Sequence, residues 1–425
     1  MRVSVFNTIQ DHQLRESRMP FATRHAASKK AARSRPSTIY MDYAASTPVD
    51  PAVLEVVMET LSASPGNPHS RQHAFGASAS RIIDAARVKV ALATGAEAGE
   101  IFFTSGATEA NNIALLGLRE HLERSGRKRI ITSAVEHKSV LEPLGQLARW
   151  GFEVVVLPVK PCGMLEASAV ERYLDERTGL VSVQAVNNEI GVIQPVSEIA
   201  TVLAGRDVLL HCDASQALGK IDLDVKSMGV DLASFSAHKA YGPQGVGALF
   251  VRAEARSLLS AIDFGGGQEK GLRPGTVPVA LCAGFGAACD LAAGGVADER
   301  ARLLELREVF LSRIAGLSPV VHGHSDPAWN VPGILSLRFA GIDSETLLMA
   351  LPMVAISTGS ACGSPVPGES ERYSHVIEAV SDSSPASRET VRLSFGRFTT
   401  VSEVELAAEA FVRAVEEIRE IQREV

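Results

Sequence analysis

The sequence predicts an α/β protein built around a mostly parallel β-sheet. Seven short apolar runs alternate with helical patterns between residues 101 and 251. The runs are too short for helices and too uniformly apolar for strands with one exposed face, which is typical of buried parallel strands. Such alternation indicates helices layered on a sheet. The predicted strands are Ile101–Thr104, Arg129–Ser133, Glu153–Leu157, 180–186, 208–212, Leu232–Ser236 and 246–251.

A helix is predicted to precede this sheet. Asp50 followed by Pro51 is typical of a helix N-cap with proline at the first helical position. The apolar residues after it recur at amphipathic helical spacing, and they are Leu54, Val57, Met58 and Leu61.

A smaller second domain is predicted after about residue 290, where the pattern changes. Residues 298–315 form a charged helical pattern, and residues 402–423 form a long amphipathic one. Residues 334–339 and 391–395 are predicted strands with less continuous hydrophobicity around them. We therefore expect a large α/β domain over residues 38–290 and a small α+β domain over residues 291–425.

Composition and charge exclude several classes of protein. Of 425 residues, 46% are apolar and 21% charged, which is ordinary for a globular protein. The formal net charge of −7 argues against a nucleic-acid binder. The absence of an apolar run of membrane-spanning length argues against a membrane protein. Five cysteines without a CxxC pair argue against a disulfide scaffold and a structural metal site, and they favour a reducing compartment.

Residues 1–37 form a basic leader, which carries eight basic and only two acidic side chains. A targeting presequence has this Arg- and Ser-rich composition, although Asp11 and Glu16 do not fit it. We therefore favour a disordered tail, or a start site placed too far upstream of Met19 or Met41. We predict a cytoplasmic location, with the mitochondrial matrix as the alternative if the leader is a presequence.

Three predicted strand ends carry residues suited to an anionic ligand. The segment TSGATE at residues 104–109 joins a strand to a helix, where free N–H groups and the helix dipole favour a phosphate. An ordinary strand–helix turn has the same pattern. Lys239 follows another strand, at the sheet edge where α/β proteins bind ligands. It is either a surface lysine or, with a depressed pKa, a Schiff-base residue.

Asp213 follows a third predicted strand, 26 residues before Lys239, which is about one strand–helix–strand step. A phosphate site, a carboxylate and a lysine in this order are the groups that pyridoxal 5'-phosphate requires. The phosphate site anchors the cofactor, the carboxylate keeps its pyridine nitrogen protonated, and the lysine holds the cofactor as a Schiff base. The sequence therefore predicts this cofactor.

Further motifs make the chain resemble the pyridoxal-phosphate-dependent cysteine desulfurases of the aminotransferase class V group, from Tyr40 to about Arg423. The resemblance implies the type I fold of pyridoxal-phosphate-dependent transferases, with a seven-stranded sheet in the large domain. The matching segments are DYAASTP (42–48), GNPHS (66–70), TSGATEANN (104–112), EHK (136–138), NNEIG (187–191), SAHKAYGPQG (236–245), GGGQE (265–269), RPGT (273–276), SAC (360–362) and RLSFGR (392–397).

The resemblance also implies roles for individual residues around the cofactor. Lys239 corresponds to the Schiff-base lysine, Asp213 to the partner of the pyridine nitrogen, and His137 to the histidine that stacks over the ring and transfers protons. Gln216 and Asn188 correspond to residues that hydrogen-bond the phenolic oxygen. The residues that correspond to phosphate contacts are Ala107, Thr108, Ser236, His238 and Thr276, the last supplied by the other subunit of a homodimer.

Cys362 is the predicted nucleophile, because it lies in the segment STGSACGSP, a composition typical of an accessible loop. A nucleophilic cysteine must be accessible and partly ionised. Cys212, Cys282 and Cys289 fit core positions better, and Cys162 in a turn is the one rival. The resemblance makes Arg392 the ligand of the substrate α-carboxylate, which a guanidinium can bind through two hydrogen bonds.

The implied reaction converts L-cysteine to L-alanine and leaves a persulfide on Cys362. The sulfur then passes to an acceptor protein, either a scaffold or a sulfur carrier, for iron–sulfur cluster assembly or another sulfur-transfer pathway. The segment after Cys362 is longer than is usual in the family, and Phe264 replaces a common histidine. A selenocysteine lyase or a class V aminotransferase is the alternative. A non-catalytic relative would be expected to lack Lys239 or Cys362, and both are present.

Overall fold

The structure, a computed structural model, describes residues 38–70, 72–358, 374–381 and 385–424. The chain divides into a unit Met1–Ile39, of which Thr38 and Ile39 are described, and a second unit Tyr40–Val425, which contains all of the helices named below. The predicted leader and Cys362 lie outside the described residues.

The strands of the described residues are β1 Ile39–Tyr40, β2 Ile101–Thr104, β3 Arg129–Ser133, β4 Glu153–Leu157, β5 Thr178–Ser182, β6 Leu209–Asp213, β7 Leu232–Ser236, β8 Gly247–Val251, β9 Val320–His322, β10 Ile334–Arg338, β11 Val354–Ala355, β12 Ser357–Thr358 and β13 Thr390–Ser394. The helices are α1 Pro51–Ala63, α2 Ala74–Thr94, α3 Ala107–Gly117, α4 Arg119–Ser125, α5 Lys138–Arg149, α6 Ala167–Tyr173, α7 Val196–Leu203, α8 Val279–Ala293, α9 Val296–Ile314, α10 Ser344–Ala350, α11 His375–Val380 and α12 Val401–Glu424.

The seven predicted strands form one sheet, in the order β2-β8-β7-β6-β5-β3-β4. The pairs β3–β4, β3–β5, β5–β6 and β6–β7 are parallel, whereas β8 is antiparallel to both of its neighbours. The predicted α/β fold with a mostly parallel sheet is therefore confirmed. Strand β5 ends at Ser182 rather than at the predicted residue 186, because the buried run continues past the strand into a bridge between Val186 and Ile193.

Both faces of this sheet are buried, which explains its uniformly apolar strands. Phe102 and Ile130 pack into one cluster, with residues of α3 and α5. Phe103 and Ile131, their neighbours in sequence, pack into a second cluster on the opposite face, with residues of α2 and α8. Side chains alternate between the faces of a strand, so each strand contributes to both clusters.

Helix α1 begins as predicted but buries a different face from the one that its pattern suggests. The Asp50 carboxylate accepts a hydrogen bond from the Ala52 N–H, and Pro51 occupies the first turn. Val53 and Val57 are buried against α8. Of the four residues that defined the predicted apolar face, only Val57 is buried, and the exposed three are Leu54, Met58 and Leu61.

A second, antiparallel sheet has the order β12-β13-β10-β9. Strands β10 and β13 match predicted strands, whereas β9 is only three residues long and was not predicted. Helices α9 and α12 pack together beside this sheet. Phe310 of α9 and Phe411 of α12 meet edge to face, with ring centroids 5.4 Å apart.

Within the described residues, no single helix has both the length and the apolar composition needed to cross a membrane. Helices α8 and α9, extended to Leu317 and bent by 77° at the break between them, meet that test only as a pair.

Gly247 allows β8 to start between two other segments, so Gly247→Ala should destabilise the fold. A Cβ atom there would lie 2.7 Å from the Cα of Gly106 and would also collide with the carbonyl oxygen of Phe235. Overpacking of this kind costs about 1–3 kcal/mol. We expect the apoprotein to unfold at a lower temperature, as measured by circular dichroism.

Gly145 provides the control, because it lies exposed in α5 with no atom within 4 Å of its added Cβ. Gly145→Ala should stabilise the protein by about 0.5–1 kcal/mol, since alanine favours a helix interior. Equal unfolding temperatures for the two variants would contradict the steric argument.

Candidate active site

One cavity of about 520 Å³, near the carboxyl ends of β2, β6 and β7, collects most of the predicted site residues. The predicted residues that line it are Ala107, Thr108, His137, Asn188, Asp213, Gln216, Ser236, His238, Lys239 and Arg392. Thr276 does not line it and is exposed on the surface of the chain. Cys362 lies outside the described residues, so its position is not part of this geometry.

The phosphate turn, residues 104–109, leads from β2 into α3 at one side of the cavity. Gly106 precedes the helix and provides no side-chain cap, so the first N–H groups of α3 are available to an anion. Glu109 braces the turn by accepting hydrogen bonds from the Ser105 N–H and from Arg273 Nε, the latter at 2.9 Å. Burial alone would raise the pKa of Glu109, but these hydrogen bonds outweigh it and lower that pKa.

Lys239 lies in a single helical turn that follows β7 directly. Its Nζ donates hydrogen bonds to the carbonyl oxygens of Ala44, at 2.5 Å, and Ala45, at 2.8 Å. His238 Nδ1 lies 3.2 Å from the hydroxyl of Ser46. Burial, assisted by the charge of Lys239, lowers the pKa of His238 to about 4. His238 is therefore neutral at pH 7.

Asp213 and His137 are joined by a chain of hydrogen bonds through buried polar residues. Asn111 Nδ2 donates to Asp213 Oδ2 at 2.9 Å and to Ser139 Oγ at 2.8 Å. Ser139 Oγ lies in turn 2.8 Å from His137 Nδ1. The Ser215 backbone N–H donates to the other oxygen of Asp213 at 3.0 Å. The carboxylate is thus fixed from both sides.

His137 is also the N-cap of α5, and this determines its tautomer. Its Nδ1 accepts a hydrogen bond from the Ser139 N–H at 3.1 Å. Because a backbone N–H can only donate, Nδ1 carries no proton there, and the proton of the neutral imidazole is on Nε2.

Arg392 is buried, and its guanidinium is held by groups from two distant parts of the chain. Its Nη2 donates to Asp42 Oδ1 at 2.8 Å, and its Nη1 donates to the carbonyl oxygen of Asn188 at 3.1 Å. Its Nε has no hydrogen-bond partner among the described residues. Sequence reasoning missed Asp42, although the residue opens the DYAASTP segment.

The described residues on either side of Cys362 are anchored beside the cavity. On the N-terminal side, Ser357 of β12 pairs with Arg392 of β13. On the C-terminal side, the Ser374 hydroxyl donates to Glu189 Oε2 at 2.5 Å, and His375 Nε2 lies 2.9 Å from the carbonyl oxygen of Glu136. The described residues on both sides of the segment that contains Cys362 therefore lie close to residues that line the cavity.

Lys220 is a half-buried lysine that sequence reasoning missed. It donates to Gln216 Oε1, and Gln216 Nε2 donates to the carbonyl oxygen of Ala44 at 2.8 Å. Burial lowers the pKa of Lys220 to about 7, and the charges of Lys239 and Arg392 act in the same direction. Lys220 also lines a second cavity of about 520 Å³, which contains none of the predicted site residues.

Three of the other cysteines occupy core positions, as predicted. Cys212, Cys282 and Cys289 are buried, and burial raises the pKa of each thiol. A raised pKa leaves little of the nucleophilic thiolate. Cys162 is half-buried in its turn. Of these four, only Cys162 remains accessible to a substrate.

Glu136 is a fully buried carboxyl group directly before His137. Its Oε1 accepts hydrogen bonds from the Ser133 hydroxyl, at 2.6 Å, and from the Gln184 N–H, at 3.1 Å. Its Oε2 has no hydrogen-bond partner among the described residues. Burial raises the pKa of Glu136 to about 8, so the group is mainly protonated at neutral pH.

Glu136→Gln should therefore stabilise the protein more at pH 8 than at pH 5. The raised pKa of Glu136 favours the protonated folded state, and the unfolded state ionises above about pH 4.5. Folding thus requires uptake of a proton between pH 4.5 and 8, and stability falls as the pH rises. A neutral glutamine removes this loss, and we expect a gain of about 3 °C in unfolding temperature at pH 8.

The exposed Glu176→Gln is the matched control, and its effect should not depend on pH. If Glu136→Gln shifted the unfolding temperature equally at pH 5 and pH 8, Glu136 would not be protonated in the folded protein.

Comparisons with known proteins identify the family of this chain. Residues 39–406 match the aminotransferase class-V family. A cysteine desulfurase of Mus musculus is 44% identical over 383 residues, which span 90% of this chain and 82% of the mouse protein.

Two solved structures are similar in fold. One is named a NifS-like protein, with a TM-score of 0.81 and 34% identity over 90% of this chain and 100% of its own. The other is SspA in complex with cysteine, with a TM-score of 0.74 and 36% identity over 85% of this chain and 100% of its own. The chain belongs to the cysteine desulfurases of the aminotransferase class V family.

Proposed function

We propose that this chain is a pyridoxal-phosphate-dependent cysteine desulfurase that converts L-cysteine to L-alanine and takes the sulfur onto Cys362. The main support for this proposal is one cavity that contains Lys239, the buried carboxylate of Asp213, the uncapped start of α3 and the buried Arg392. Its mouse relative is named a cysteine desulfurase, and a similar structure holds cysteine. These names support cysteine as the substrate.

The donors of the cavity fit pyridoxal phosphate. Ala107 and Thr108 at the start of α3, with Ser236 and the neutral His238, suit a phosphate group. Asp213, buried and fixed by hydrogen bonds, suits a protonated pyridine nitrogen. Gln216 and Asn188 suit the phenolic oxygen, and Lys239 suits the carbonyl carbon. Bound there, the cofactor would supply an electron sink for charge that develops on the substrate.

The protein residues bind the substrate and move its protons. Arg392 binds the substrate α-carboxylate, and Asp42 keeps the guanidinium in place. Lys239 Nζ accepts and returns protons at the substrate carbons, where it can act as a general base. His137 offers its Nε2–H as a hydrogen-bond donor, because its Nδ1 is occupied by the helix cap.

Cys362 receives the sulfur by a nucleophilic displacement. Its thiolate attacks the substrate sulfur, an S–S bond forms, and the Cβ–S bond breaks. The carbon keeps the electron pair and takes up a proton, which gives alanine. The two anchored flanks of residues 359–373, at Ser357 and Ser374, support placement of this cysteine near the substrate. The sulfur then passes to a scaffold or sulfur-carrier protein.

A homodimer is proposed because several groups lack a role within one chain. Phe264 is 90% exposed, and Thr276 lies exposed outside the cavity of its own chain. The α1 residues Leu54, Met58 and Leu61 also present apolar surface to solvent. A second copy that covered such surface would let Thr276 contact the phosphate of the other subunit's cofactor.

The proposed protein has a large domain over residues 38–290 and a small domain over residues 291–425. The seven-stranded sheet lies within residues 38–290, and the antiparallel four-stranded sheet lies within residues 291–425. The enzyme is expected in the cytoplasm, or in the mitochondrial matrix if residues 1–37 are a presequence.

With a thiol reductant present, which releases the persulfide sulfur as sulfide, the holoenzyme should form sulfide and alanine from L-cysteine, whereas Cys362→Ala should lose at least about 99% of this activity. A transition-state nucleophile cannot be replaced by a methyl group, and such losses commonly exceed a hundredfold. Sulfide and alanine are measured in the same reaction, with Cys162→Ala as the control that keeps full activity.

Three results would contradict this proposal. A fully active Cys362→Ala would remove Cys362 from the mechanism. A wild-type enzyme that binds the cofactor and transfers amino groups without sulfide release would be an aminotransferase. Release of selenide from selenocysteine, with no sulfide from cysteine, would make it a selenocysteine lyase.

Arg392→Lys should weaken cysteine binding more than it slows turnover. Lysine keeps the charge but cannot form two parallel hydrogen bonds to a carboxylate. We expect KM for cysteine to rise about 10- to 100-fold, with a smaller change in kcat. Arg338→Lys, a matched arginine on β10 that pairs with Glu389, is the control. An unchanged KM for Arg392→Lys would rule out Arg392 as the carboxylate ligand.

A further inference from the structure

An arm over residues 265–276 is fixed to the rest of the chain by Glu269 and Arg273, and it is braced internally by Gln268, before it reaches the exposed Thr276. Glu269 pairs with Arg87 through two hydrogen bonds of 2.7 Å and also accepts the Phe103 N–H at 2.8 Å. Gln268 Oε1 accepts the Gly275 N–H at 3.0 Å. Arg273 Nε donates to Glu109 Oε1 at 2.9 Å.

The third of these contacts differs from the others, because Glu109 belongs to the phosphate turn. Its other oxygen accepts the Ser105 N–H, so the carboxylate bridges Arg273 and that turn. The Arg273 and Glu109 side chains are only 21% and 18% exposed, which limits screening by solvent. One ion pair thus joins the phosphate turn of a chain to the arm that ends in Thr276.

We propose that Arg273 is a positioning residue for two active sites at once. Arg273 holds the phosphate turn of its own subunit through Glu109. Through residues 274–276, the same side chain fixes Thr276 for the phosphate site of the other subunit. This inference rests on the homodimer of the proposed function.

Each half of the proposal has its own physical cause. Without Arg273, the negative charge of Glu109 would lie unpaired in the turn that must bind a phosphate dianion, and like charges repel. The same loss would remove the anchor three residues before Thr276, so the hydroxyl would be held less firmly in place. A single substitution should therefore weaken cofactor binding at both sites.

Mixed dimers separate the two effects. One chain carries Lys239→Ala, so only the other chain, the reporting chain, binds the cofactor covalently. The cofactor is removed and titrated back, and its dissociation constant at the reporting site is measured by absorbance. Arg273→Met is placed in the reporting chain in one preparation and in the silent chain in another.

We expect Arg273→Met to raise the dissociation constant about tenfold from either chain, as for loss of a charge-assisted hydrogen bond. Arg273→Lys should restore part of the affinity, because it keeps the charge. Thr276→Val should act only from the silent chain, since its hydroxyl serves the other site. Arg313→Met, in an ion pair with Glu405 on α12, should change nothing. The unfolding temperature of each apo-dimer should stay within a few degrees of wild type.

Two failures can be told apart. If Thr276→Val has no effect from the silent chain, or the protein is a monomer, the proposed dimeric site is wrong and the inference fails with it. If Thr276→Val acts from the silent chain but Arg273→Met acts from one chain only, or from neither, the dimer stands and the double role of Arg273 is wrong.

Discussion

The backbone of residues 42–47 has to satisfy hydrogen bonds from two directions, and the cavity is built around that requirement. The carbonyl oxygen of Ala44 accepts hydrogen bonds from Lys239 and Gln216, while its N–H donates to Ser394 Oγ at 2.8 Å. The Thr47 N–H donates to the carbonyl oxygen of His238 at 2.9 Å. This short segment therefore sets the distance between the lysine that follows β7 and the arginine on β13. A shift of its backbone would displace both.

The cavity is less negative than the chain as a whole, because its lining carries two basic side chains, Lys239 and Arg392, and two acidic ones, Glu109 and Asp213. The chain has a formal charge of −7, yet Lys220, Lys239 and Arg392 lie close enough to influence one another. Burial raises the pKa values of Glu136 to about 8 and of Glu189 to about 7, which reduces the negative charge there at neutral pH. A cavity with this balance suits a ligand that brings a phosphate and a carboxylate, since anions replace the missing negative charge.

What could be predicted from sequence was local. Strands β2, β3, β4 and β7 lie at their predicted bounds because each is an isolated apolar run between turns. The turn after β2 and Lys239 after β7 follow from the same local reasoning. The face of α1 could not be predicted, because Val53 is apolar as well as Leu54 and either stripe could face α8. The high pKa of Glu136 could not be predicted from the sequence either, because it depends on burial by segments distant in sequence.

The ion pair between Asp42 and Arg392 spans 350 positions of the chain. Chains emerge from the ribosome N-terminus first, and early domains start to fold during synthesis. Asp42 emerges early in synthesis, whereas its partner follows only when synthesis is nearly finished. The seven-stranded sheet can therefore assemble on the ribosome, but the ion pair beside the cavity is completed only near the end of translation. Truncated products that stop before β13 would retain the turn after β2 and Lys239 while lacking Arg392, the proposed ligand of the substrate carboxylate.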